Sequence, residues 1–267
     1  MSEIDSRYFE SNKNLWNQKT SIHKTSDFYD VEGFKNGKNA LNEIELTELG
    51  DVSGKSLLHL QCHFGLDTLS WARMGAKVMG VDFSDKAIET AREINEELGL
   101  DAQFICSNVY DLKEQLDQKF DIVFTSYGTI GWLPDINKWA DIVCHFLKPG
   151  GTFYIAEFHP VLWMFDDDFT KLTYSYFNDG VIEIDSEGTY TDRKADIKHK
   201  EYSWNHCISE VVNALISHGL NIDFMNEYDF SPYDCFPNTV KNEKGGFYIK
   251  GYERILPMIY SIKATKN

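Results

Sequence analysis

Short apolar runs alternate with stretches in which apolar residues recur every three or four positions, and this alternation is unbroken from Lys55 to Phe158. Such a pattern predicts a parallel sheet covered by helices. Leu57, Leu58 and Leu60 read as one buried strand and Ala76 to Val81 as a second, with a helix from about Leu66 to Met74 between them. Ser84 is placed to cap a helix whose Ala87, Ile88, Ala91, Ile94 and Leu98 share one face, and Gly99 to stop it. Gln103 to Ser107 and Phe120 to Ser126 predict the third and fourth strands. Ile136, Trp139, Ala140, Val143, Phe146 and Leu147 mark an amphipathic helix, Lys148-Pro149-Gly150-Gly151 ends it, and Thr152 to Phe158 is a fifth strand.

Two segments depart from this rhythm. From Ser6 to Gly50, an aromatic stretch with Tyr8, Phe9, Trp16, Phe28, Tyr29 and Phe34 precedes a helix around Ala40 to Leu49, and is expected to pack over the sheet edge or a cleft. From Pro160 to Trp204, Tyr174, Tyr176, Val181, Ile182, Ile184 and Tyr190 alternate with turn-forming Asn178-Asp179-Gly180 and Glu187-Gly188, which predicts an antiparallel insertion. The α/β pattern then returns, with a helix over Ile208 to Ile216 stopped by Gly219 and strands near Leu220 to Tyr228 and Ile255 to Ile262. One domain over 1–267 follows: a lid and helix at 1–50, a ligand-binding core at 51–159, the insertion at 160–204 and the rest of the sheet at 205–267.

Composition narrows the partners. Hydrophobic residues are 42% and charged residues 25% of the 267, an ordinary globular balance, and 26 basic against 42 acidic residues give a formal charge of −16, which repels a phosphate backbone. Nucleic acid is therefore excluded as the expected partner. Met1 to Glu10 holds no apolar core of a signal peptide, and no apolar run approaches the roughly 20 residues that span a bilayer, so a cytoplasmic protein with no membrane partner is expected. Cys62, Cys106, Cys144, Cys207 and Cys235 form no C-x-x-C pair, and Asp166-Asp167-Asp168 reads as a solvated acidic face; reduced thiols and no metal are expected. Oligomeric state is not written in the sequence.

In an open parallel sheet, ligands bind beyond the carboxyl ends of the strands. The residues there are Gln61-Cys62-His63-Phe64-Gly65, Asp82-Phe83, Asn108-Val109 and Ser126-Tyr127-Gly128. Asp82 follows the first loop by about 20 residues, the spacing at which an acid meets ribose hydroxyls held above that loop, so an adenosine-containing ligand is expected.

These elements, LLHLQCHFG, VMGVDFS, FICSNVYDL, FDIVFTSYG and LKPGGTFYIAEFHP, resemble the class I S-adenosylmethionine-dependent methyltransferases from Gly54 to the C-terminus. The resemblance implies a Rossmann-like, seven-stranded, mostly parallel sheet with helices on both faces, an N-terminal helical lid and an antiparallel insertion after strand five. It implies S-adenosylmethionine as cofactor, with Gln61, Cys62, His63 and Gly65 around its methionyl end, Asp82 at the ribose, Phe83, Asn108 and Val109 at the adenine, and Ser126 beyond. The family's G-x-G-x-G run is reduced here to its last glycine. That loss bears more heavily on a dinucleotide, whose pyrophosphate must approach the loop backbone, than on a methyl donor that has none.

The structural alternatives are that Asp82 caps a helix, that Gln61 and His63 are turn residues, that Phe83 packs in the core and that His59 is a satisfied core histidine. Candidate acceptor-side residues are Tyr127, Thr129, Trp132, Glu157 and His159, with Trp16, His23 and Tyr29 from the N-terminal segment and Trp204 and His206 at the border. Glu157 and His159 alternate along one strand and are expected on one side at its end, as an acid–base pair with Tyr127 nearby. The Pro-Pro-aromatic signature of DNA and protein amide methyltransferases is absent after strand four. The expected function is methyl transfer to a small-molecule acceptor, the alternative a relative that only binds the cofactor as a sensor; a nicotinamide oxidoreductase is disfavoured by the missing G-x-G-x-x-G.

Overall fold

In the computed structural model, which describes residues 6–267, three helices precede the first strand: α1 (Ser6–His23), α2 (Val31–Lys35) and α3 (Glu43–Leu49). The first five residues of the expected 1–50 lid lie outside the described residues. The core follows as β1 (Ser56–Leu60), α4 (Leu66–Arg73), β2 (Lys77–Asp82), α5 (Asp85–Glu97), β3 (Gln103–Cys106), β4 (Phe120–Thr125), α6 (Ile136–Phe146) and β5 (Leu147–Phe158). Beyond it lie the hairpin β6 (Ile182–Glu187) and β7 (Lys198–Ser203), then α7 (Ile208–Ser217), β8 (Leu220–Tyr228), a short hairpin β9 (Thr239–Lys241) and β10 (Phe247–Ile249), and β11 (Ile259–Lys266).

The main sheet has the order β3-β2-β1-β4-β5-β11-β8, with β11 antiparallel to both neighbours. Every position of β1 is buried because both faces are covered. Leu58, Leu60, Val123 and Phe153 meet Trp139, Val143 and Phe146 of α6 and Val211 and Leu215 of α7. The alternate residues Leu57, Ile122, Phe124 and Tyr154 meet Leu49 of α3 and Trp71 of α4 on the other face. The order reverses between β1 and β4, and the crevice above that reversal is where a ligand is expected.

Boundaries moved for local reasons. The Lys148–Gly151 turn is carried within β5 as a register shift against β4, so the strand starts at Leu147 instead of Thr152. The last strand starts at Ile259 because Pro257 offers no N–H to the ladder. Ser84 does cap α5, accepting from the Ala87 N–H at 3.0 Å. The β9–β10 hairpin was not anticipated, whereas helix α1 gives the expected N-terminal lid its helical form. The amide of Asn12 in α1 both donates to the Tyr202 carbonyl (2.7 Å) and accepts from the Tyr202 N–H (3.0 Å), and Ser11 Oγ donates to Lys200 O. Lid and insertion, read separately from the sequence, are thereby one cap above the strand ends.

Candidate active site

The loop after β1 follows a path that glycines would normally take. Gln61, His63 and Gly65 have φ of 57°, 50° and 79°, the alternate positions that carry glycine in the pattern the sequence resembles. A left-handed backbone costs a residue with a Cβ about 1–2 kcal/mol, which the side chains of this loop offset with contacts. Gln61 Nε2 donates to the Thr129 carbonyl (2.8 Å), and the His63 N–H donates to Asp82 Oδ2 (2.9 Å). His63 Nε2 lies 3.1 Å from His23 Nδ1, so one proton is shared between two neutral rings. Burial keeps them neutral, pushing His23 down to about 3 and His63 well below the ordinary histidine range.

Asp82 ends β2 and holds the loop in place. Its Oδ1 accepts from the Ser84 N–H at 2.9 Å while Oδ2 holds His63. Burial raises its carboxyl to about 6 against the pull of these amides. After β3, Asn108 Oδ1 accepts from the Tyr110 N–H (3.0 Å) and caps the short turn that begins at Val109, which spends one of the lone pairs expected for adenine. Gln61, Cys62, His63, Gly65, Asp82, Phe83, Asn108, Val109 and Ser126 all border one cavity of about 830 Å³. Gln61 Oε1 and His63 Nδ1 face no hydrogen-bond partner among the described residues although both are buried. The unspent Gln61 carbonyl oxygen and His63 ring nitrogen beside the Asp82 carboxylate fit the hydroxyl and amine groups of an adenosyl ligand.

The cap forms the roof of this cavity. Ile182, Ile184 and Ser186 of β6 and their cross-strand partners Ser203, Glu201 and His199 of β7 all line it. Trp16 of α1 meets Trp132 edge-on at 5.4 Å, and Lys19 lies over both rings, 3.6 Å from Glu201. Trp16, Tyr29, Trp132 and His206 line the cavity, as expected of acceptor-side residues. His23 does not; fully buried, it stacks on Tyr29 at 5.3 Å and supports His63 from behind.

The expected acid–base pair is differently employed. Glu157 accepts from the N–H groups of Gly128, Thr129, Ile130 and Phe158 and from Thr129 Oγ1, which moulds the loop after β4 and leaves its carboxylate spent. His159 lies outside the cavity lining: its Nε2 bonds Glu227 Oε1 (2.9 Å) and its Nδ1 accepts from the Val161 N–H (3.2 Å). Both ring nitrogens of His206 are engaged, by Leu133 O and Glu210 Oε2. Tyr127 donates to Glu45 Oε2 (2.7 Å), and burial beside that carboxylate lifts its phenol well above the ordinary range, so it is a donor and no base. His59 is tied to Thr68 Oγ1 and Ser126 Oγ, the satisfied core histidine foreseen among the alternatives.

Sequence reasoning missed Asp67, Tyr190 and Tyr233, which line the same cavity. Asp67 reads as an ordinary acid in a helix first turn, and Tyr233 lies in a stretch after β8 with no periodicity; only Asp67's place two residues past Gly65 was a usable signal.

A family model described as a methyltransferase domain matches residues 52–214, more than half of the chain. The chain belongs to that family. S-adenosylmethionine is the cofactor of these methyltransferases. The ubiquinone biosynthesis O-methyltransferase of Xylella fastidiosa (strain 9a5c) is 28% identical over 144 residues, 53% of this chain and 58% of that protein. Its counterpart in Proteus mirabilis (strain HI4320) is 27% identical over 135 residues, 49% and 55% of the two chains. The methyltransferase chain thus spans little more than half the length of these curated relatives. In fold it is similar to an S-adenosylmethionine-dependent methyltransferase from Clostridium acetobutylicum ATCC 824, with TM-score 0.58, 14% identity, and 95% and 99% of the two chains covered. The glycopeptide N-methyltransferase MtfA in complex with S-adenosylmethionine gives 0.55, 16%, 90% and 91%.

Proposed function

We propose that the protein transfers a methyl group from S-adenosylmethionine to a small organic acceptor held under the α1–hairpin cap. The observation that carries this reading is the continuity of one cavity from the three donor-side loops, at 61–65, 82–83 and 107–109, to the aromatic roof. Gln61, His63, Asp82 and Asn108 would hold the donor, which supplies an activated methyl group on a sulfonium. The protein's share is to align the two reactants and exclude water, and Trp16, Trp132 and Tyr29 close the space above the loop for that purpose. A charge of −16 and a cavity roofed by aromatic side chains favour a small molecule over nucleic acid, and no described helix is long and apolar enough to cross a membrane; we place the protein in the cytoplasm. The O-methyltransferase relatives favour an organic acceptor without fixing its atom.

The test is calorimetry with S-adenosylmethionine, S-adenosylhomocysteine and NAD, followed by an acceptor screen that detects S-adenosylhomocysteine release. One-to-one binding of the adenosyl ligands and turnover with some acceptor are expected; NAD binding alone would refute the reading. The internal engagement of Glu157, His159 and His206 favours a second reading, a cofactor-binding sensor, which donor binding without release across the screen would support.

A further inference from the structure

Near the first loop the cavity wall carries the Asp67 carboxylate, with the Glu45 carboxylate buried behind it and, among the described residues, no counter-ion for either. Asp67, in the first turn of α4, presents its accessible surface to the cavity and accepts a hydrogen bond from Ser126 Oγ at 3.1 Å. Glu45, fully buried in α3, lies close enough for its charge to act on Asp67 and is held by the Asn42 N–H and Tyr127. Among the described residues neither carboxylate has a lysine, arginine or histidine within ion-pair distance. The basic residues on the cavity are spent elsewhere: Lys19 on Glu201, Lys38 on Asp30 and Arg193 on the Cys235 carbonyl. An ionised carboxylate buried without a partner is costly, and a cationic ligand removes the cost.

The surrounding wall suits a cation. Tyr29 and Tyr233 both lie within the field of Asp67, Phe28 stacks on Tyr233 at 5.7 Å, and Tyr127 meets Tyr233 edge-on at 5.1 Å. All four line the cavity. Aromatic faces attract an ammonium through their quadrupoles, and the attraction grows once water is excluded. The phenols of Tyr29 and Tyr233 are already bonded, to Tyr190 and Asn42, so their rings remain the chemistry offered.

We infer that Asp67 and the wall of Phe28, Tyr29, Tyr127 and Tyr233 form a receptor for the ammonium group of an amine acceptor. The inference rests on the proposal that this cavity is a methyl-transfer site. Asp67 is also placed to take the proton that an ammonium nitrogen must lose before its lone pair is free to accept a methyl group. Burial and the Glu45 charge hold the Asp67 carboxyl up to about 7, within reach of that exchange.

The experiment is calorimetry on the full chain at about pH 8, where such a carboxyl is ionised, using benzylamine and its neutral isostere benzyl alcohol on the S-adenosylhomocysteine complex. Benzylamine is expected to bind at least about tenfold more tightly than the alcohol. Asp67→Asn should remove most of that preference and leave the affinities for S-adenosylmethionine and S-adenosylhomocysteine within about twofold. Equal binding of amine and alcohol, or a preference that survives Asp67→Asn, overturns the inference. So does a loss confined to S-adenosylmethionine, which assigns Asp67 to the sulfonium, or a loss shared by both adenosyl ligands with the amine preference intact, which assigns it to their own ammonium. If Asp67→Asn fails to fold, Tyr233→Leu tests the same preference through the wall and should lower it several-fold; an unchanged preference overturns the inference. Wild-type protein that binds neither adenosyl ligand refutes the donor-site reading itself and the inference with it, whereas donor binding without amine preference refutes the inference alone.

Discussion

Glu157→Gln separates a structural carboxylate from a catalytic one. Oε1 accepts from the Gly128 and Phe158 amides; Oε2 accepts from the Thr129 and Ile130 amides and from Thr129 Oγ1. Whichever oxygen becomes the glutamine NH₂, two buried backbone N–H groups face a donor. Each buried donor left unsatisfied costs about 1–3 kcal/mol, so the loss is about 2–6 kcal/mol. A neutral amide is cheaper to bury than a carboxylate, which moves the expectation to about 3–4 kcal/mol. At roughly 2–4 °C per kcal/mol for a domain of this size, Tm should fall by about 6–16 °C. Urea titration and a thermal scan measure both quantities, and Thr129→Val, which removes one donor of five, should cost only about 1 kcal/mol. Because Gly128 to Ile130 line the cavity, donor affinity should fall as well. A variant within about 0.5 kcal/mol of the parent that had nevertheless lost turnover would refute the clamp and return Glu157 to the chemistry.

Asp82→Ala removes a charged acceptor and releases the His63 amide, so S-adenosylhomocysteine should bind about 10- to 150-fold more weakly by calorimetry, and an unchanged affinity in a folded variant would take Asp82 out of the site. Asn12→Ala breaks the two Asn12–Tyr202 bonds between α1 and β7; hydrogen exchange in α1 should accelerate about tenfold while the central strands keep their protection, and equal protection of α1 would show that the Ser11 and Lys19 contacts suffice to hold the helix. Asp67→Asn should change how stability depends on pH. In the ligand-free protein the folded carboxyl titrates at about 7 against an ordinary 3.8, so between those values the native state holds the extra proton and wild-type stability declines as pH rises. Asparagine abolishes that decline, so the variant should gain on the wild type by about 2–4 kcal/mol from pH 4 to 7 and level off above about pH 8, and a constant difference across urea titrations between pH 4 and 7 would contradict the assignment.

The sheet was legible because its signal is local. An inner strand covered on both faces must be apolar throughout, and a helix on its face must carry a stripe, so the runs at 57–60 and 120–125 and the spacing in α5 and α6 admitted one architecture. The strand ends were legible for the same reason, since the chain turns polar where it leaves the sheet. The cap was not. Asn12 and Tyr202 meet across 190 positions, and nothing in either segment's periodicity announces the other. Side-chain employment was equally hidden: alternation placed Glu157 and His159 on one strand, but their partners, the β4 loop amides and Glu227, come from elements whose proximity only the closed fold creates. Asp67 escaped notice because an acid in a helix first turn already has a local explanation.

The altered first loop joins these observations. Glycines would give Gln61 and His63 their backbone without strain, but glycine has no side chain with which to reach Thr129 or His23. The chain accepts about 1–2 kcal/mol at each position and gains two ties, one to the loop that Glu157 moulds and one to the C-terminal turn of α1. A loop that in the resembled pattern only receives the donor is therefore braced here against both walls of the acceptor space. The geometry around the donor and the closure of the cap are consequently set by the same two side chains, and loosening either tie changes both at once.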